Sequence, residues 1–261
     1  MKPRVVAVIQ ARASSQRLPG KVLLPLAPLN RHSGESDTVL AWTLQRVKRS
    51  RCIDEVIVAT STEASDDPVA QHVEQLGFGV SRGSLNDVLS RMVNAAEEHD
   101  ADMLVRITGD CPLVAPEIVD RVVSTHLAEG RDFTANRLPP PHRRTYPVGL
   151  DVEVASMDVM RRARADATKA HHREHVMPYL YEEHGRFDVR VLEAAQDAGS
   201  VRWTVDTPQD LQAVRRLVEV ARADVSTSWT VLLDVWLDHP DLALINADVA
   251  HRTATFTDPR L

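Results

Sequence analysis

The chain has 261 residues, 43% of them hydrophobic and 26% charged, with a formal net charge of -6 at pH 7. That balance suits a soluble globular protein and leaves no basic footprint for nucleic acid or an anionic membrane. Cys52 and Cys111 are too few for a disulfide framework, no apolar run has the length of a membrane span, and the N-terminus lacks the zones of a signal peptide, so a cytoplasmic protein is expected.

Val5 to Ile9 (VVAVI) reads as a strand buried on both faces of a parallel sheet. The chain then turns polar up to Lys21, with Arg12, Arg17 and Lys21 spaced among serines, a proline and a glycine. Such a loop brings backbone N–H donors and positive charge to one end of a sheet, where open α/β folds bind ligands. That chemistry suits a polyphosphate. The spacing is neither GxxxxGK[ST] nor GxGxxG. After a polar stretch, Leu29 to Ser36, a helix is expected from an Asp37 cap to about Arg49. Glu55 to Thr60 reads as a second buried strand. Asp66-Asp67-Pro68 starts a helix to Leu76, with Gly77 as its stop. Ser84 with Asp87 fits a capping box for a helix to about His99. Asp102 to Ile107 is another apolar strand, followed by Thr108-Gly109-Asp110-Cys111-Pro112 and a helix with Pro116 in its first turn. The alternation predicts a parallel, doubly wound α/β sheet.

From Asp132 the rhythm changes. Pro139 to Arg144 reads as an extended loop. Leu150 to Ala155 reads as a strand with carboxylates at alternate positions, Asp151 and Glu153. Helices are expected over Ser156 to Asp166 and His171 to Glu183, and strands over Phe187 to Leu192 and Val201 to Val205. Thr207-Pro208-Gln209-Asp210 caps the next helix. A last helix carries Trp229, Leu232, Leu233 and Trp236, whose spacing favours the core over a stacking platform. One domain is expected over 1–245, with an insert at about 132–155 and a loose tail over 246–261.

Asp110 and Asp206 each follow an apolar strand directly. Mg²⁺ takes oxygen ligands, usually one or two protein carboxylates plus substrate phosphates. Two strand-end aspartates beside a cationic loop fit that count. The plainer alternatives are a self-bonding turn residue at Asp110 and an extra helix cap at Asp206. His171-His172-Arg173-Glu174-His175 matches the H-x-x-E-H zinc-hydrolase pattern, with His171 and His175 on one helix face. No third carboxylate ligand is identifiable, and a polar helix N-terminus is the plainer reading. Cys111, beside Asp110, is a candidate thiol nucleophile, but no His has a spacing that ties it to this cysteine.

Read together, the motifs resemble the cytidylyltransferase family of CMP-sugar-acid synthetases, nearest to its spore-coat polysaccharide (SpsF-like) branch. The resemblance runs through Ala11 to Lys21, Val58 to Ser61, Arg82-Gly83-Ser84 with Asp87-Val88-Leu89, and Arg106 to Leu113. It continues through Arg144 to Pro147, Gly149 to Glu153, Arg173 to Val176 with Pro178-Tyr179, and Arg202 to Pro208. It implies a nucleotide-diphospho-sugar transferase fold, with a mostly parallel mixed sheet sandwiched by helices. It also implies transfer of CMP from CTP to a sugar acid or related acidic acceptor, with release of pyrophosphate and Mg²⁺ as cofactor. On that resemblance Arg12 and Lys21 hold the triphosphate with Arg17 nearby, and Ala11, Ser15 and Asp87 complete the nucleotide site. Ser61 and Arg82 fall at the cytosine and ribose contacts, and Asp110 and Asp206 hold the metal. Asn136, Tyr146, Asp151, Glu153, His175 and Arg202 face the acceptor and part of a homodimer interface. The chain departs from the family pattern at Ser14, where a smaller residue is usual. It departs again over Leu29 to Ser36, which replaces a short Gly-Lys-Pro turn. A glycosyltransferase or non-catalytic sugar-nucleotide binder on the same fold is the alternative, as is cytidylylation of a phosphonate or sugar phosphate.

Overall fold

The computed structural model describes residues 2–26 and 37–250. The chain runs through β1 (Val5–Gln10), α1 (Val39–Lys48), β2 (Glu55–Ser61), α2 (Asp67–Gln75), β3 (Gly79–Gly83), α3 (Val88–Glu98), β4 (Met103–Thr108) and α4 (Pro116–Glu129). It continues as β5 (Phe133–Ala135), β6 (Glu153–Ser156), α5 (Met157–Asp166), α6 (Ala170–His175), α7 (Pro178–Tyr181), β7 (Val189–Val191), α8 (Pro208–Val220), α9 (Trp229–Asp238) and α10 (Pro240–Leu244). Seven strands form one sheet in the order β3-β2-β1-β4-β6-β5-β7. β3, β2, β1 and β4 are mutually parallel. β6 then runs antiparallel to both β4 and β5, and β7 is parallel to β5.

The apolar run of β1 explains its central place. Val5, Ala7 and Ile9 face one hydrophobic core, while Val6 and Val8 face the other. A strand that is apolar on both faces has to be covered on both. Leu40 and Leu44 of α1 pack into the first core, along with α4, α8 and α9. Leu89 and Met92 of α3 pack into the second, with Met160 of α5. The connections after β1 and before β4 thus lie on opposite faces of the sheet. The crevice between the C-terminal ends of β1 and β4 is a topological switch point, where such sheets bind ligands.

Several boundaries differ from the sequence reading. Thr38, not Asp37, caps α1, accepting from the N–H of Ala41. Asp87 itself is the N-cap of α3, so Ser84 and Asp87 form no capping box there. β3 was not anticipated, because an edge strand of mixed polarity carries no apolar run. His171 to Glu183 is not one helix: α6 ends at Val176, whose φ is 72°. Val201 to Val205 is not a strand; its alternation serves the core, with Trp203 and Val205 fully buried and a single bridge from Arg202 to Val148. The tail does not begin at Asn246, which is buried and donates to Asp210 Oδ1 at 3.0 Å. The atypical stretch at residues 29–36 lies outside the described residues, as does 251–261.

One close backbone approach positions the segment ahead of α8. Val148 donates to Val201 O and accepts from Trp203 N, both at 2.8 Å. Gly149 follows with φ +105°, and a Cβ there would stand 2.6 Å from Thr204 N and 2.9 Å from Trp203 C. Gly185 also has positive φ, at +83°, but nothing lies within 4 Å of its virtual Cβ. Substitution by alanine carries a torsional cost of about 1–3 kcal/mol at either position; only Gly149→Ala adds a clash with backbone. Calorimetry is therefore expected to find Gly149→Ala lowering Tm clearly more than Gly185→Ala. Equal shifts would mean that segment 202–206 yields freely.

Candidate active site

β1 delivers the loop that floors the site. Beyond Gln10 the backbone folds back on itself, with Ser15 N and Gly20 N both donating to Ala13 O at 2.9 Å. Ala13 N donates to Asp66 Oδ1 at 2.6 Å. Asp66 is fully buried, and its other oxygen accepts from the Ser61 hydroxyl. Ser61 thus lies behind the loop, holding the carboxylate that holds it. Asp66 was read from sequence only as a helix start. The loop ends at Lys21, in a short 3-10 turn, Lys21–Leu23.

Two carboxylates converge on Lys21. Asp110 follows β4 in a turn where Gly109 N donates to Gln10 O at 2.8 Å. Asp206 precedes α8, and the two segments are joined by Val205 N donating to Asp110 O at 2.8 Å. Lys21 Nζ bonds Asp110 Oδ2 and also Asp206 Oδ1, the latter at 2.7 Å. The other Asp206 oxygen, Oδ2, pairs with Arg17 Nη2 at 3.0 Å and Arg202 Nη2 at 2.9 Å. Burial by itself would raise the Asp206 pKa, but Lys21, Arg17 and Arg202 outweigh it and hold the carboxyl well below the usual range. Burial would likewise lower Lys21, and the two aspartates reverse the sign and raise it.

The floor of the site opens into a cleft of 380 Å³. Ala11, Arg12, Ser15, Arg17 and Lys21 line one side, with Asp110 and Asp206 at the base and Asp151, Glu153 and His175 beyond. Ser14 is also in the wall, its buried Oγ without a protein partner among the described residues. Gln10, Arg106, Arg137, Glu174 and Tyr181 join them; the sequence reading had met Glu174 only in the H-x-x-E-H match and had given the other four no role. Arg106 lies opposite Glu153 in the β4–β6 register and bonds it, while its Nη2 donates to Gln10 Oε1 at 2.9 Å. Arg144 makes a two-pronged contact with Asp151, one arm at 3.0 Å. Such forks fix carboxylate orientation as well as charge.

Other residues assigned by resemblance lie outside the cleft wall. Tyr146 is buried, accepts from Arg121 at 2.7 Å and packs against Trp229. Asn136 is buried and splints the backbone, donating to Leu150 O and accepting from Val152 N, each at 2.8 Å. Arg202 bonds Asp206 from behind and reaches Asp210 at 2.8 Å, away from the cleft wall. Arg82 donates to Ser61 O at 2.8 Å and pairs with Asp67. Asp87 caps α3 and lies 3.4 Å from Arg173.

The H-x-x-E-H residues separate. His171 and His172 both contact Glu182, each at 2.8 Å, in a cluster outside the cleft, whereas His175 lines the cleft. His171 and His175 both lie in α6, but His171 turns to Glu182 while His175 turns to the cleft, so the two form no shared zinc face. Cys111 is buried, and burial, with Asp110 adding to it, pushes the thiol well above its ordinary range. It is a poor nucleophile in this state.

A family model described as Cytidylyltransferase matches residues 6–228. The spore coat polysaccharide biosynthesis protein SpsF of Bacillus subtilis (strain 168) is 33% identical over 238 residues, spanning 88% of this chain and 93% of SpsF. A cytidylyltransferase structure from Leptospira borgpetersenii serovar Hardjo-bovis superposes with a TM-score of 0.84 at 29% identity, covering 96% of this chain and 100% of that one. A CMP:2-keto-3-deoxy-manno-octonic acid synthetase complexed with CTP shares the fold, with a TM-score of 0.63 at 20% identity over 83% of this chain and 98% of that one. The matched residues run from β1 to Ser228, the cap of α9, and so take in the cationic loop, Lys21 and both carboxylates. The chain belongs to the cytidylyltransferase family.

Proposed function

We propose that the protein transfers CMP from CTP to a sugar acid or a related acidic acceptor, releasing pyrophosphate. The observation that carries this reading is the cationic loop facing Asp110 and Asp206 across one cleft, with Lys21 between them. An acceptor oxygen attacks the α-phosphorus of CTP, and the bond to the bridging oxygen of the β-phosphate breaks. Positioning and charge neutralisation do most of the work in such a transfer. Arg12, Arg17 and Lys21 supply positive charge along the triphosphate. Arg106 and Arg137, at the far end, give an acidic acceptor its counter-charges. Asp151 and Glu153, both in the cleft wall, are assigned to accept from acceptor hydroxyls.

Asp110 and Asp206 would hold a divalent cation, which we take to be Mg²⁺. They fit one, because an oxygen of each already converges on a single cationic centre. The ion, when bound, neutralises charge on the phosphate oxygens. On the family resemblance we extend the reading to a homodimer acting in the cytoplasm, which sedimentation velocity and fractionation would test.

Pyrophosphate release from CTP with a panel of sugar acids, phosphonates and sugar phosphates tests the activity. No release with any pair in the presence of Mg²⁺ would remove the transferase reading. Chelation of divalent ions is expected to abolish turnover and re-addition to restore it. Asp110→Asn and Asp206→Asn are each expected to lower kcat by about 100-fold or more while circular dichroism stays native. Full turnover in either variant would take that carboxylate out of the site. No covalent thiol step is involved, so Cys111 should resist iodoacetamide until the protein is unfolded. Rapid labelling of the native protein would reopen the nucleophile.

A further inference from the structure

The position where Asp110 and Asp206 meet is filled by the protein's own cation. Lys21 Nζ contacts Asp110 Oδ2 and Asp206 Oδ1 at once. A divalent ion held by both carboxylates would need an oxygen from each, and at Asp206 that leaves Oδ1, because Oδ2 is taken by Arg17 and Arg202. An ammonium and a metal ion cannot both occupy one gap between the same two oxygens. The local charge is also balanced. Lys21, Arg17 and Arg202 stand against Asp110, Asp206 and Asp210, three cations to three anions. A divalent ion arriving alone would meet a neutral cluster and be repelled by an adjacent ammonium. One arriving with a triphosphate brings the negative charge that a displaced lysine can bind.

We propose that Lys21 is an exchangeable internal cation. It closes the Asp110–Asp206 pair while nucleotide is absent. It moves onto the triphosphate when a nucleotide–metal complex enters, giving up the two carboxylate oxygens. This rests on the reading of the cleft as a CTP site. The side chain suits the exchange: lysine is a compact point charge on a flexible four-carbon stem. Its backbone stays anchored, with Lys21 N donating to Leu18 O and Leu24 N to Lys21 O, both at 3.2 Å. Arg202 does not exchange in this way. Arg202 is locked by Asp210 at 2.8 and 3.1 Å, and so keeps Asp206 oriented throughout. Metal and nucleotide are then coupled, each raising affinity for the other, as linkage requires.

The exchange has a sign that a plain triphosphate-binding lysine would not give. Removing Lys21 should harm turnover and yet improve metal binding in the absence of nucleotide. Free Mn²⁺ can be followed by electron paramagnetic resonance at mildly alkaline pH, with no nucleotide present. Lys21→Met and Lys21→Gln are each expected to bind one Mn²⁺ per chain about tenfold or more tighter than the unsubstituted protein. Adding Asp110→Asn to Lys21→Met should erase that gain. Lys21→Arg should stay as weak as the unsubstituted protein. Circular dichroism confirms the fold of each variant, and the two neutral substitutions guard against failure of one. The proposal is overturned if neither neutral variant binds Mn²⁺ more tightly, or if the gain survives Asp110→Asn. Calorimetric titration of CTP into the unsubstituted protein separates the two levels. Absent CTP binding would sink the functional reading, while the Mn²⁺ comparison would still decide whether lysine and metal compete.

Discussion

Two carboxylates can share a small, poorly solvated space only if cations hold them there. Asp110 and Asp206 meet that condition through Lys21, with Arg17 and Arg202 on the outer oxygen of Asp206. Much of the surrounding architecture maintains this arrangement. The loop after β1 supplies Lys21 and Arg17. The hydrogen bond from Val205 N to Asp110 O holds the two carboxylate-bearing segments side by side. Asp210, inside the capping box of α8, anchors the arginine that steers Asp206. Fully buried and bonded to that arginine, Asp210 shows how an ordinary helix cap can also serve as the foundation of a site.

The sheet explains why these pieces arrive at one place. β1 has β2 on one side and β4 on the other, with α1 and α3 on opposite faces. The segments leaving β1 and β4 therefore part around a crevice at their C-terminal ends. β6 then enters antiparallel beside β4 and brings Glu153 opposite Arg106. The parallel half thus carries the cationic loop, and the antiparallel strand adds the wall where Glu153 meets Arg106. A single strand reversal divides the cleft into two chemical environments.

How much of this was legible in the chain depends on the signal each part carries. β1, β2 and β4 are continuous apolar runs, and strands buried on both faces leave that trace. The α8 cap was legible because Thr207, Pro208 and Asp210 have distinct jobs at fixed offsets. β3 and β5 were not, one being polar at the sheet edge and the other only three residues long. Val201 to Val205 misled because alternation reports burial, not pairing. The break at Val176 had no signal of its own, since a β-branched residue seldom adopts positive φ. The loop cations and two strand-end aspartates that meet in the cleft were singled out by residue type and position. Tyr146, Asn136 and Arg202 were placed by resemblance, which carries residue identity but not the direction of a side chain. Arg106 and Gln10 were missed because a strand interior gives no hint that its last polar residues face a cleft.

Asn246 ties the far end of the described chain to the centre, through Nδ2 donating to Arg202 O at 3.2 Å and Asp210 Oδ1 at 3.0 Å. The clasp is a neutral amide, so it adds no charge to the cluster and acts only by holding a carbonyl and a carboxylate together. A chain truncated ahead of Asn246 would keep Lys21, Asp110 and Asp206 yet leave Arg202 and Asp210 without their brace.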